Sequence, residues 1–157
     1  MYRTLLPLFL FAACAKSPAP PATRLAGAID FANPEDRSQI DSGLWEIENK
    51  SWRWTSRKFA VRLAAPLGAR GAVLKLSGSV PQPVLTANQD VTLTCSVNGT
   101  ALPPQKYAQP GDFILVRDVP PVAAAAAVEC SVDKVYQPGG DRRELGVIVK
   151  SIRLDAK

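Results

Sequence analysis

The sequence predicts an all-β fold: an antiparallel β-sandwich, jelly-roll-like, with one short N-terminal helix. Three observations carry this. Fourteen prolines and ten glycines in 157 residues interrupt the chain too often for a helical bundle and favour short elements joined by turns. From Gly43 onward the apolar residues recur with a period of two, as half-buried strands require. About seven or eight such segments are separated by turn signals at the spacing a sandwich uses. A chain that is 46% hydrophobic and 21% charged is not a disordered one. Its length suits one folded domain, assigned to residues 24–157.

The first element is an address. In residues 1–13, Arg3 supplies a positive start, residues 5–11 an apolar run, and Ala12-Ala13 the small pair before a cut, as in an export signal. The run is far shorter than the roughly 20 residues of a membrane-spanning helix. Phe11-Ala12-Ala13-Cys14 resembles a bacterial lipobox, with Phe11 where Leu is preferred; the alternative is a plain secretory signal followed by a chance cysteine. The resemblance implies that Cys14 is diacylated on sulfur, becomes the new N-terminus and is N-acylated (palmitate or a similar chain). Each acyl chain contributes about 0.8 kcal/mol per buried CH₂, so two or three anchor the protein firmly. Ala15, where Asp would signal inner-membrane retention, points to the outer membrane, facing the periplasm. Residues 14–23 combine the lipidated cysteine with a proline-rich tether in extended polyproline geometry.

Next, Asn33-Pro34-Glu35-Asp36 is a helix start: an Asn cap, Pro at the first helical position, then acids at the positive dipole end. Gly43 ends it. Trp45 and Ile47 then alternate with Glu46 and Glu48, Trp52 and Trp54 flank Arg53, and Phe59, Val61 and Leu63 alternate with Ala60 and Arg62. Trp52 and Trp54 are out of phase with the later set, so one unbroken strand would put one set on the wrong face. A turn or bulge at Thr55-Ser56-Arg57-Lys58 is therefore expected.

Further strands are expected at 72–78, 90–97, 112–119, 127–133 and 145–154. Turns are expected at Asn98-Gly99, Pro110-Gly111, Pro120-Pro121 and Pro138-Gly139-Gly140. The last strand, apolar on both faces, suits the sheet centre. The alanine run 123–127 is ambiguous between a helical turn and a strand. Cys95 shares a face with Leu93 and Val97, and Cys130 with Val128 and Val132. In an exported chain this pair is a candidate disulfide worth about 3–4 kcal/mol; two buried thiols are the alternative.

Phe31, Asn33-Pro34-Glu35-Asp36, Gln39-Ile40, Gly43-Leu44-Trp45, Glu48 and Trp52-Arg53-Trp54-Thr55, with Asp141-Arg142-Arg143-Glu144-Leu145-Gly146-Val147, resemble a small bacterial β-sandwich module. Such modules occur alone or appended to glycosyltransferases and other envelope-polysaccharide proteins, and are largely uncharacterised. The similarity spans about residues 31–154. It implies a non-catalytic, carbohydrate-binding-like sandwich, the sugar being an analogy of fold.

Candidate ligand-binding residues are Trp45, Glu48, Trp52, Arg53 and Trp54. Exposed aromatic rings stack on sugar faces while neighbouring Arg and acid groups bond hydroxyls. The alternative places the rings in the core, with Arg53 and Glu48 pairing across strands outside; Trp52 is the ring expected to be exposed if any is. Arg57, Lys58 and Arg62 form a basic face in a stretch without acids between Glu48 and Asp90. In an envelope this face would meet phosphorylated lipid, teichoic polymer, acidic polysaccharide or an acidic protein, not nucleic acid; a solvated strand face is the alternative. Asp141-Arg142-Arg143-Glu144 is expected to fix a turn, with Asp141 and Arg142 its functional members if it has any.

Histidine is absent, which removes Ser-His-Asp and Cys-His catalysis and His-ligated metals. Glu46 and Glu48 would lie about 7 Å apart on one strand face, within the range of paired glycosidase carboxylates, but such pairs come from different strands across a cleft. No enzyme, metal or cofactor is expected. The sequence therefore leads to a monomeric outer-membrane lipoprotein that binds envelope glycan. The alternative is an accessory protein-interaction subunit of an export or polysaccharide-assembly machine.

Overall fold

The computed structural model describes residues 24–68 and 70–157. The expected export signal, Cys14 and the tether lie outside them. The elements are β1 (Ala28–Asp30), a 3-10 helix (Pro34–Gln39), β2 (Ile40–Glu48), β3 (Trp52–Ala64), β4 (Ala72–Val80) and α1 (Gln82–Asn88). They continue with β5 (Val91–Val97), β6 (Thr100–Ala101), β7 (Gln105–Tyr107), β8 (Gly111–Val119), β9 (Ala125–Val132) and β10 (Ile148–Ala156).

The fold is mostly antiparallel β. Ten strands form one sheet in the order β6-β5-β9-β3-β10-β4-β8, with β1 on β10, β2 on β3 and β7 on β5. Strand β3 makes the corner. Its start pairs with β10, Trp54 opposite Ile148, whereas its residues 58–64 pair with β9. The sheet thus curls so that Phe59, Leu63 and Leu93 from one wing share a single core with Leu76, Leu115 and Ile152 from the other. Side chains tie the free edges together. Arg117 on β8 donates to the carbonyls of Pro103 at 2.6 Å and Pro104 at 3.1 Å. Tyr107 on β7 meets Phe113 on β8 with ring centroids 4.8 Å apart.

The N-terminal helix forms where expected, as 3-10 turns, with Asn33 Oδ1 accepting from the Glu35 amide at 3.1 Å. A second helix, α1, was not anticipated. Pro81 and Pro83 sit at its N-cap and first turn, where proline is tolerated; Val84 and Leu85 then pack into the core. The alanine run resolves as strand from Ala125. The last strand is central as expected but starts at Ile148, Leu145 forming an isolated bridge with Tyr136.

Strand β3 is continuous over thirteen residues, but its pairing with β2 is irregular where a turn or bulge is expected. Leu44 opposes Thr55 and Ser42 opposes Ala60, so residues 56–59 face Gly43 alone, and Arg57 and Lys58 are both exposed. Contrary to expectation, the irregularity does not change the inward phase. Arg53 and Thr55 before it and Phe59, Val61 and Leu63 after it are all buried, and Trp52 and Trp54 lie on the opposite face. Thr55 fits inside because its polar groups are satisfied: its amide donates to the Val147 carbonyl at 2.9 Å, and its Oγ1 accepts from the Val147 amide at 3.1 Å.

Cys95 and Cys130 form a disulfide. They oppose each other on adjacent strands β5 and β9, with Cα atoms 4.1 Å apart, in keeping with the narrow pairs of an antiparallel ladder.

Candidate functional site

The tryptophan neighbourhood is built by two segments distant in sequence. The β2–β3 hairpin, whose turn places Asn49 and Lys50 at φ 50° and 53°, brings Glu48 beside Trp54. The loop before β10 brings Asp141, Arg143 and Glu144 onto the same corner. Trp45 Nε1 donates to the Glu144 carbonyl at 3.1 Å, and Trp54 Nε1 to Glu48 Oε2 at 3.2 Å. Arg143 donates to Glu48 Oε1 at 2.9 Å and through Nε to Asp141 Oδ2 at 2.8 Å. Its guanidinium carbon lies 5.8 Å from the Trp45 ring centroid, within cation–π range. Hydrogen bonds to Asp141 and then Glu48 push the Arg143 pKa up. The Arg143 side chain, and then its amide, hold the Asp141 carboxyl below the usual carboxylate range.

This cluster is a clamp. All three Trp residues are half-buried, and the indole N–H groups of Trp45 and Trp54, the Glu48 carboxylate and the Arg143 fork are engaged internally. Trp52 Nε1 is buried without a partner. Arg53 is corrected outright: its residue is only 3% exposed, not on an outer face. Its Nε donates to the Phe31 carbonyl at 3.1 Å and Nη1 to the Trp45 carbonyl at 2.9 Å. Its nearest acid is Glu46 at 4.0 Å, not Glu48. Burial lowers the Arg53 pKa, which Glu46 partly offsets. Asp141 fixes its turn as expected, by accepting from the Arg143 amide at 2.9 Å. Arg142 is exposed and takes no part in the clamp, whose connector is Arg143.

The basic face is also not what the linear charge run implied. Arg62 Nε donates to Asp41 Oδ1 at 2.8 Å. Arg57 donates to the Asp133 carbonyl at 2.7 Å and lies 3.7 Å from Glu144. Lys75 pairs with Asp155 at 3.0 Å. The neutralising acids come from β2, from the loop before β10 and from β10, so a linear count could not show them. Lys58, the third member of the expected face, is exposed and forms no ion pair among the described residues.

A recess lies elsewhere, on the outer face of β2-β3-β9-β5-β6. It encloses about 400 Å³. The ladder registers align its floor in two rows across the strands. One runs Ser42, Ala60, Glu129, Ser96, Ala101, and the other Lys58, Ser131, Thr94. Short side chains make the floor low. At its β2 end the backbones approach closely: a Cβ on Gly43, at φ +74°, would stand 1.8 Å from the Lys58 carbonyl oxygen, so only glycine fits.

The floor carries four hydroxyls, one carboxylate and one ammonium. Among the described residues, neither Glu129 nor Lys58 forms an ion pair. Of its members only Lys58 was singled out from the sequence. The signal for the others was there in Val91-Thr92-Leu93-Thr94-Cys95-Ser96-Val97, whose inward half reads as core and whose outward half is hydroxyl-bearing throughout.

No family model matches this chain, and no curated protein matches it. Among solved structures, the chain is similar to the CBM36-1 domain of a multidomain xylanase from the hindgut metagenome of Trinervitermes trinervoides. The identity is 11% and the TM-score 0.43, over 74% of this chain and 91% of that one. It is also similar to a family 35 carbohydrate binding module from an environmental isolate, at 12% identity and TM-score 0.45, over 87% of this chain and 90% of that one.

Proposed function

We propose that the protein is a non-catalytic, monomeric envelope lipoprotein whose β domain binds glycan in the recess on β2-β3-β9-β5-β6. One observation carries this reading. The Ser42, Lys58, Thr94, Ser96, Glu129 and Ser131 side chains line one concavity, and among the described residues none makes an intramolecular side-chain hydrogen bond, whereas the tryptophan corner has engaged nearly all of its own. Hydroxyl-bearing ligands are held by convergent donors and acceptors of this kind. The engagement of Glu48 by Arg143 and Trp54 supports a domain without hydrolytic chemistry there. The leader, Cys14 and the proline-rich tether support anchoring at the outer membrane, and the disulfide fits an oxidising compartment.

The test is affinity electrophoresis of the mature chain through gels containing envelope polysaccharides. Retardation that Ser96→Trp abolishes, by filling the recess while leaving the melting temperature unchanged, supports the reading. Retardation unaffected by Ser96→Trp would move the site elsewhere. Labelled palmitate incorporated by the wild type and not by Cys14→Ser would support the anchor.

A second reading, docking on a protein of an export or assembly machine, is favoured by Ile114 and Val116. They are 69% and 48% exposed on β8, the end strand of the sheet path. Ile114→Lys with Val116→Lys would then lose a protein partner in pull-down while glycan retardation persisted.

A further inference from the structure

We infer that the ligand of this recess is an uncharged glycan strand lying across the β-strands rather than along them; this rests on the recess reading proposed above. The direction follows from the shape of the lining. Across the strands, the row from Ser42 to Ala101 crosses β2, β3, β9, β5 and β6, about 19 Å at the usual inter-strand spacing, on short side chains with Glu129 at its middle. Along the strands the lining is short, reaching only from 58 to 60 on β3, 129 to 131 on β9 and 94 to 96 on β5, about 7 Å at the usual rise per residue.

The charge class follows from the balance of the lining groups. The floor holds one acid, Glu129, and one base, Lys58, on adjacent strands and diagonal in register, about 7–8 Å apart at their stems. The recess as a whole has no net charge, although the chain carries +5. A polyanion gains no field there and would place its charge over a central carboxylate. An uncharged polyol avoids that penalty. Its adjacent hydroxyls donate to the two Glu129 oxygens, its other oxygens accept from Lys58, and the Ser and Thr hydroxyls serve in both directions.

The experiment is calorimetric titration of the mature chain with neutral hexose oligosaccharides of increasing length, with polygalacturonate and with deacetylated chitosan, at low and high salt. The expected result is binding of a neutral series that strengthens with length and levels off once the ligand spans the five strands. Its affinity should change by less than about twofold with salt, since no counterions are released on neutral ligand binding. Glu129→Ala should weaken it by about tenfold or more, the loss of hydrogen bonds to a charged acceptor, and Glu129→Gln by less. Preferential, salt-sensitive binding of polygalacturonate or chitosan that Ser96→Trp abolishes would overturn the uncharged class while keeping the recess. Neutral binding without length dependence would overturn the cross-strand direction. Binding of no glycan at all would overturn both this inference and the reading beneath it.

Discussion

Arg143 Nη1 and Glu48 Oε1 lie 2.9 Å apart, joining the loop before β10 to the end of β2 across 95 residues of sequence. The same guanidinium holds Asp141 and covers Trp45, so one side chain closes the corner around which the sheet curls. Replacing it leaves two carboxylates without their shared cation. Arg143→Met should lower the melting temperature at neutral pH by a few degrees. The Asp141 pKa is lowered in the folded state, so its contribution is present above the unfolded carboxyl pKa and is lost as pH falls through the lower folded value. The gap between wild type and Arg143→Met should therefore be widest near neutrality and shrink in strong acid. Melting curves over that pH range measure it.

Arg53 acts by burial rather than by exposure. Its fork satisfies the carbonyls of Phe31 and Trp45, tying the segment after β1 and strand β2 to β3. Arg53→Met would bury those carbonyls without donors, at about 1–3 kcal/mol for each group left unsatisfied. Urea denaturation should show a loss of that order. Arg53→Lys, which keeps the charge but not the fork, should recover only part of it.

The sequence carried the strand positions well because each strand has one core-facing half and one solvent-facing half, from Leu74 and Leu76 on β4 to Val128, Cys130 and Val132 on β9. It misled at Arg53, where a buried guanidinium stands between two tryptophans and periodicity assigns the aromatic phase inward. It was silent on Arg143, whose partner lies 95 residues away, and on Asp41 and Asp155, which neutralise Arg62 and Lys75 only after the strands are laid side by side. The recess was legible in its outward Thr and Ser positions but not as a concavity, since the registers that align its rows exist only in the folded sheet.

The disulfide closes a span of 35 residues that includes the end of β5, β6 to β8 and most of β9. In the chain-entropy model such a loop contributes about 3–4 kcal/mol, mostly by restricting the unfolded chain. The Cys95→Ala, Cys130→Ala double variant should unfold at lower urea by that amount. It should retain the same sheet by circular dichroism, because both positions remain apolar in the core.

Gly43 couples stability to the recess. Its backbone is left-handed, and any Cβ would strike the Lys58 carbonyl at 1.8 Å. Gly43→Ala should cost about 2–4 kcal/mol through strain and overlap. Because relief requires β2 to move away from β3, where Ser42 meets Ala60, glycan retardation should fall with it.

Tryptophan emission separates the two parts of the molecule that residue types alone would have merged. All three Trp residues are half-buried, Trp45 and Trp54 within the clamp, and none lines the recess. Emission of the mature chain should be intermediate in wavelength and partly quenched by acrylamide, and a bound glycan should change neither quantity. Arg143→Met, which uncovers Trp45, should increase quenching while leaving glycan affinity in place. A glycan that protects the indoles instead would return the binding site to Trp45, Trp52 and Trp54, and would require the Arg143 clamp to open when ligand binds.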